Sequence, residues 1–233
     1  MQTEAKELIQ VKQYEEKGPY HRRIIARSNT RYEMGIKLAG DIKDSWCLDF
    51  GGGDGAMASR MANKGAKVVI FDPIRVALGY AHEADKRLGL AEGRTSLPFP
   101  DGKFKVVTML ETLEHIPDVE EMKALKEVYR VLADNGRLVI SVPSVNQPLS
   151  QKHWRHYSLS HLQGKLEETG FKINKIVPYR FLSGWWSDTP IVRKMVNGII
   201  YGMDSLIRSV NGHMGSVQTT VDMATDFIIL ANK

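Results

Sequence analysis

Apolar positions along this chain keep two different rhythms. Near the N-terminus the spacing is helical. Leu8, Ile9 and Val11 stand among charges over residues 4–17, and Gly18-Pro19 stops the run. Tyr32, Ile36 and Leu38 stripe a second helix over 28–39, which Ser28 or Asn29 can cap. From residue 45 short unbroken apolar runs take over: "SWCLDF" (45–50), "AKVVIFD" (66–72), "KFKVVTML" (103–110) and "GRLVISVP" (136–143). Strands with this pattern are buried on both faces, as in a parallel sheet covered by helices. Helical stretches separate them. "AMASRMANKG" ends at Gly65, and "PIRVALGYAHEADKRLG" has Pro73 near its first turn. "DVEEMKALKEVYRVLADNG" starts near Asp118, and "LSHLQGKLEETG" is capped by Ser158 and closed by Gly170. Two late strands follow, "FKINKIVPY" and "TDFIILANK". This alternation predicts an α/β, doubly wound, mostly parallel open sheet.

Between the late strands, residues 181–221 lack the crossover pattern. They contain Trp185-Trp186 and a predicted helix beginning at Pro190 whose apolar face is wide. That face suits core packing, a dimer surface, a lid over an apolar acceptor or peripheral contact with lipid through 185–210. The chain thus divides into an N-terminal helical cap (1–44), a core (45–180), a helical insertion (181–221) and a final core strand (222–233).

Composition narrows the picture slightly. The net charge of +5 is not gathered into a basic run, so no nucleic-acid partner is expected. The single cysteine, Cys47, sits in an apolar run and reads as a small buried side chain. The N-terminus is charged throughout, with no apolar core of a signal peptide. A cytoplasmic location is expected.

The candidate chemistry starts at "LDFGGGDG". Gly51, Gly53 and Gly55 follow the first predicted strand at its carboxyl end, where open α/β sheets bind ligands. With Ala56, the loop also matches the dinucleotide fingerprint G-x-G-x-x-A. Asp49 argues against that match, because a carboxylate repels a pyrophosphate. S-adenosylmethionine carries an ammonium and a sulfonium and no phosphate, so a carboxylate suits it. Asp72 ends the second strand and can hold both ribose hydroxyls, a feature common to the two ligand types. Asp72-Pro73 can also be a plain helix start, but the order of the two acids and the loop favours the ribose role.

Together "LDFGGGDG", "VVIFDP", "LPFPDGKFKVVTMLETLEHIPD", "LADNGRLVISVPS" and "HWRHYSLSHLQGKLEETGF" resemble the class I S-adenosylmethionine-dependent methyltransferases. They are most similar to the group that includes the quinone-biosynthesis enzymes. The resemblance spans about residues 45 to 178. It implies a seven-stranded, Rossmann-like sheet with an antiparallel last strand. It also implies S-adenosylmethionine as donor, S-adenosylhomocysteine as product, and a small-molecule acceptor. Asp49, Gly51, Gly53, Gly55, Asp72, Pro73 and Glu111 are the positions it assigns to the donor. One stretch departs from the family. An acidic residue usually precedes "LPF" and bonds the adenine amino group, but here Gly93 and Arg94 stand at those places. Adenine recognition is therefore expected from Ser96 or backbone groups, with Leu97 packing on the ring.

Methyl transfer needs mainly a close, aligned acceptor, and a base only when the acceptor must lose a proton early. His153, His156 and Tyr157 in "KHWRHYS" are the base candidates. Tyr157-Ser158 also reads as a simple hinge before the next helix, and His115 as a packing or capping residue. His153-x-x-His156 has the spacing of a metal pair, but no cysteine or acidic ligand stands near it in sequence, so no metal is expected. Three function classes fit. One is a methyltransferase for a small, lipophilic metabolite, and another is a non-catalytic donor-binding scaffold. The third is an NAD-dependent dehydrogenase.

Overall fold

A computed structural model describes residues 2–19, 26–179 and 224–233. Two helices come first, α1 (Gln2–Lys17) and α2 (Ala26–Ala39). The alternating region then runs β1 (Trp46–Phe50), α3 (Ala56–Asn63), β2 (Lys67–Asp72), α4 (Arg75–Ala84), β3 (Gly89–Glu92) and β4 (Phe104–Leu110). A 3-10 turn at Leu113–His115 leads to α5 (Asp118–Val131), β5 (Leu132–Pro143), α6 (Leu159–Thr169), β6 (Lys172–Tyr179) and β7 (Asp226–Asn232).

The seven strands form one sheet in the order β3-β2-β1-β4-β5-β7-β6. β7 runs antiparallel to both of its neighbours, and the other pairings are parallel. The order reverses between β1 and β4. That is the switch point at whose carboxyl side doubly wound sheets open a crevice. The parallel strands are apolar because helices cover both faces. Leu48, Phe50, Val107, Met109 and Leu138 pack against α5 and α6 on one face. Cys47, Val68, Ile70, Val106 and Val139 pack against α2, α3 and α4 on the other. Cys47 is fully buried, and burial pushes its thiol up to about 12, so it stays an inert core residue.

Two local signals read from the sequence, Ser158 and Gly170, act as expected. Ser158 accepts the N–H of His161 at the start of α6. Gly170 closes that helix at φ 106°. Ala56 opens α3, buried, where a small residue allows close helix–sheet packing. Two boundaries differ. The expected helix through Gly89 ends at Ala84, and residues 89–92 form the edge strand β3. Three of its four residues are exposed, so no apolar run marks it. The helix expected to continue through "ADNG" ends at Val131, and β5 begins at once. Asn135 makes the bend there at φ 59°.

Among the described residues no helix is long and apolar enough to cross a membrane. The insertion, including Trp185-Trp186 and the segment 185–210, lies outside the described residues. So do the lid, lipid and dimer roles expected of it.

Candidate active site

The loops after β1, β2, β4 and β5 surround a cavity of about 450 Å³, and α1 lies across it. Its floor is the glycine loop. Gly51 adopts φ 71° and Gly53 φ 53°, a region that side chains with a Cβ rarely enter. Space enforces the same choice. A Cβ on Gly51 would lie 2.2 Å from Thr112 Cγ2, and one on Gly53 would lie 2.5 Å from the Tyr14 hydroxyl. Gly55 lies deeper and supplies the left-handed N-cap of α3.

Asp49 does not line the cavity. It sits beneath the loop, fully buried, with its Oδ2 2.5 Å from where a Cβ of Gly52 would stand. Thr108, its partner across the β1–β4 pairing, donates to Oδ1 at 2.6 Å. Oδ2 has no hydrogen-bond partner. Burial without a cation pushes this carboxyl up to about 7. The carboxyl is separated from the cavity by the loop and does not offer direct contact to a ligand. Asp72 does face the cavity. Its Oδ2 accepts Gly53 N–H at 2.9 Å and its Oδ1 accepts Ile74 N–H at 2.7 Å. Both bonds fix the loop, and each oxygen keeps a lone pair for a ribose hydroxyl. Burial raises this carboxyl to about 6. Pro73 lies beside it in the wall.

The adenine end corrects the expectation. Ser96 is exposed and outside the cavity, and Leu97 is a core residue whose N–H donates to Glu127. The chain instead turns Arg94 and Thr95 into the wall. Arg94 pairs with Glu7 of α1 at 2.7 Å, and Thr95 donates to Glu120 at 3.0 Å. Gly93 passes so close to Phe71 that a Cβ would lie 2.6 Å from its ring, which leaves no room for the family's acidic side chain there.

At the other end, Glu111 lines the cavity from the end of β4, at φ 54°. Its N–H donates to Ser141 O at 2.9 Å, Ser141 Oγ donates to its Oε1, and Arg31 of α2 meets its Oε2 at 3.2 Å. Glu114 and His115 follow on the 3-10 turn. Glu114 is fully buried, and neither carboxylate oxygen has a hydrogen-bond partner. Burial, with Glu111 nearby, holds its carboxyl well above the usual range. His153 packs edge-on against His115, ring centres 4.7 Å apart, and lines the same wall.

The three expected bases separate. His153 faces the cavity, whereas His156 stands behind it, 2.8 Å from His153 Nδ1. Burial lowers His153 to about 2 and His115 to about 3, so both rings are neutral but weakly basic. Tyr157 is not at the cavity at all. Its hydroxyl donates to Glu121 at 2.7 Å and accepts from Arg155 at 2.8 Å in the fully buried core, and burial raises its pKa. It is a strut, not a base. Arg155 also bonds the Leu113 and Ile116 carbonyls and Asp118, tying the 150s loop to the β4–α5 loop.

Several lining groups carried no sequence signal. Tyr14, Glu7 and Gln10 come from α1, some 40 or more residues before the loops they cover. Lys6 anchors the same helix by donating to the Gln151 and His153 carbonyls at 2.9 and 2.7 Å. His115 read as a packing or capping residue, and the burial of Glu114 beside it left no trace in the sequence.

Seven carboxylates line the cavity against three lysine or arginine side chains. That balance, with the partnerless Asp49 oxygen below, fits a cationic ligand and opposes a pyrophosphate. The residues present therefore fit S-adenosylmethionine. The dehydrogenase reading loses its footing on the same ground.

Comparison with known proteins agrees. The methyltransferase-domain family matches residues 26–176. The ubiquinone/menaquinone biosynthesis C-methyltransferase UbiE of Escherichia fergusonii is 32% identical over 131 residues, 51% of this chain and 51% of the relative. The chain thus spans about half the length of the curated relatives it matches. Among solved structures, an S-adenosylmethionine-dependent methyltransferase from Archaeoglobus fulgidus aligns with a TM-score of 0.64 at 16% identity, covering 89% of this chain and 94% of that one. A Haemonchus contortus phosphoethanolamine N-methyltransferase in complex with S-adenosylmethionine aligns at 0.61 and 19% identity, covering 87% and 52%. These two show the fold alone. The family match, the sheet order and the cavity chemistry lead to one conclusion: the chain belongs to the class I S-adenosylmethionine-dependent methyltransferases.

Proposed function

We propose that the protein transfers the methyl group of S-adenosylmethionine to a small metabolite, releasing S-adenosylhomocysteine. The observation that carries this reading is one cavity lined by the glycine loop and Asp72 together with Glu111, Glu114, His115 and His153. The glycine loop, Asp72 and the Arg94–Thr95 segment would hold the donor, and Glu111 would meet its amino-acid end beside β4. The remaining wall, from Leu110 through Glu114, His115 and His153, would receive the acceptor. When bound, the donor supplies an already activated methyl group. The chain's own residues position the partners and exclude water, with α1 closing over both.

The identity of the relatives supports a lipophilic acceptor, since they are named for ubiquinone and menaquinone biosynthesis. A cytoplasmic enzyme, with residues 181–221 serving as an acceptor lid or as a dimer or lipid contact, completes the proposal. The test is incubation of the chain with methyl-labelled donor and a cell extract. Label in a small-molecule fraction supports transfer. Donor binding with label in no fraction would favour the scaffold reading instead.

A further inference from the structure

Glu114 poses a physical problem. A fully buried carboxyl with two partnerless oxygens lines the cavity. Protonation would not solve it, because the acid would still leave a donor and an acceptor unbonded. Lys152 and Arg31 act on it only through space.

The neighbours point to what is missing. One nitrogen each of His115 and His153 lies within 4.8 Å of a Glu114 oxygen and of the other. His115 Nε2 is 4.0 Å from Glu114 Oε1, too far for a hydrogen bond. The hydrogen bonds around the rings also fix their tautomers. His156 Nδ1 faces the Gln147 carbonyl at 3.1 Å, and a carbonyl only accepts, so that nitrogen holds the proton. In the neutral ring its Nε2 is then an acceptor, and the proton in the 2.8 Å contact belongs to His153 Nδ1. His153 Nε2 is left as a bare lone pair. The same logic holds at His115, whose Nδ1 faces the Lys152 carbonyl at 3.2 Å. Gln10 meets that nitrogen at 3.2 Å and presents its amide oxygen once the proton is placed there. His115 Nε2 is bare as well. Each ring thus donates through one nitrogen to a backbone carbonyl or to a ring that does, the arrangement that orients histidine ligands toward a metal.

We propose that Glu114, His115 and His153 form a binding site for a divalent first-row transition cation at the acceptor end of the cavity. Two imidazoles and one carboxylate suit zinc, manganese, iron or cobalt, and are a poor match for calcium or magnesium, which prefer oxygen. Metal–ligand bonds of about 2.0–2.2 Å place ligands on one ion about 3–3.5 Å apart, so the side chains close in by about 1–1.5 Å. Three protein ligands leave the remaining positions open to the cavity, where an oxygen of the acceptor can enter. That last point rests on the methyltransferase reading, whereas the cation site itself does not. Sequence spacing had suggested His153 with His156. The fold instead pairs His153 with a loop almost 40 residues away and uses His156 to orient it.

The experiment uses the full chain, stripped with chelator, titrated with cobalt(II) and followed by visible absorption and calorimetry. One equivalent is expected, with d–d bands that zinc(II) abolishes and that azide shifts by entering an open position. Glu114→Gln and His153→Ala should each weaken cobalt binding at least thirtyfold, while S-adenosylhomocysteine affinity changes less than threefold. If Glu114→Gln fails to fold, the nitrogen shifts of His115 and His153 Nε2 on zinc addition to the wild type serve instead. No stoichiometric binding, or binding that His153→Ala leaves unchanged, overturns the proposal. Bands indifferent to azide overturn the open positions. Loss of S-adenosylhomocysteine binding by the wild type would count against the methyltransferase reading and not against the cation site.

Discussion

Replacing Asp49 by Asn should make the donor-free protein more stable and its donor binding weaker. The Asp49 carboxyl is lifted from 3.8 to about 7 by burial beneath the glycine loop. At about 1.4 kcal/mol per tenfold shift, ionising it in the donor-free fold costs about 4 kcal/mol. The sign follows from proton binding. Between pH 4 and 7 the folded protein holds a proton that the unfolded chain has lost. Stability therefore falls as pH rises through that window and levels off above it. Asn keeps the shape and an acceptor for Thr108 but removes the charge. Its amide is still buried, so about 2 kcal/mol of the penalty should be recovered at pH 8 and almost none at pH 5. For a domain of this size that is a rise in Tm of about 4–8 °C at pH 8. Thermal unfolding by circular dichroism at both pH values measures it. Titration with S-adenosylmethionine should show affinity reduced at least tenfold, about 1.4 kcal/mol. Equal Tm shifts at pH 5 and 8, or unchanged donor affinity, would refute the assignment of a buried charge serving a cationic ligand.

Other outcomes follow from the same geometry. Donor affinity of the wild type should rise from pH 6 to pH 8 and binding should release protons, because a cationic ligand favours the ionised forms of Asp49 and Asp72; calorimetry in buffers of different ionisation enthalpy reads this directly. Gly51→Ala should abolish donor binding and lower Tm, since the new Cβ meets Thr112 at 2.2 Å in a left-handed backbone; a variant with wild-type affinity would contradict the role of the loop. Tyr157→Phe should destabilise the fold by about 1–3 kcal/mol by leaving Glu121 and Arg155 short of a partner, while labelled-methyl transfer per folded molecule persists; loss of transfer without loss of stability would restore it as a base. Lys6→Ala should speed donor release in stopped-flow measurements by freeing α1 from the Gln151 and His153 carbonyls, and an unchanged release rate would show that α1 does not gate the cavity.

Much of this was legible in the sequence where chemistry and backbone coincide locally. The apolar runs gave the strands, Ser158 and Gly170 gave the limits of α6, and the glycines and Asp72 pointed to the loop and wall of the cavity. What was not legible depended on distance along the chain or on burial. β3 escaped because an edge strand of four mostly exposed residues has no apolar signature. Ser96 and Leu97 were off by one turn of the wall, because Gly93 must clear Phe71 and so aims Arg94 and Thr95 inward. Tyr157 and His153 are four residues apart and looked alike in sequence. Only packing against Glu121 and Arg155 sends one into the core and leaves the other at the cavity. Asp49 lost the direct contact expected of it, because Gly52 lies over it.

Whether the cavity is a donor site is decided by calorimetric titration of the folded chain with S-adenosylmethionine at pH 8. One site per chain is expected, with a dissociation constant in the micromolar range, about −8 kcal/mol, and competition by S-adenosylhomocysteine but not by NADH. No heat of binding at millimolar donor, or displacement of the donor by NADH, would contradict it.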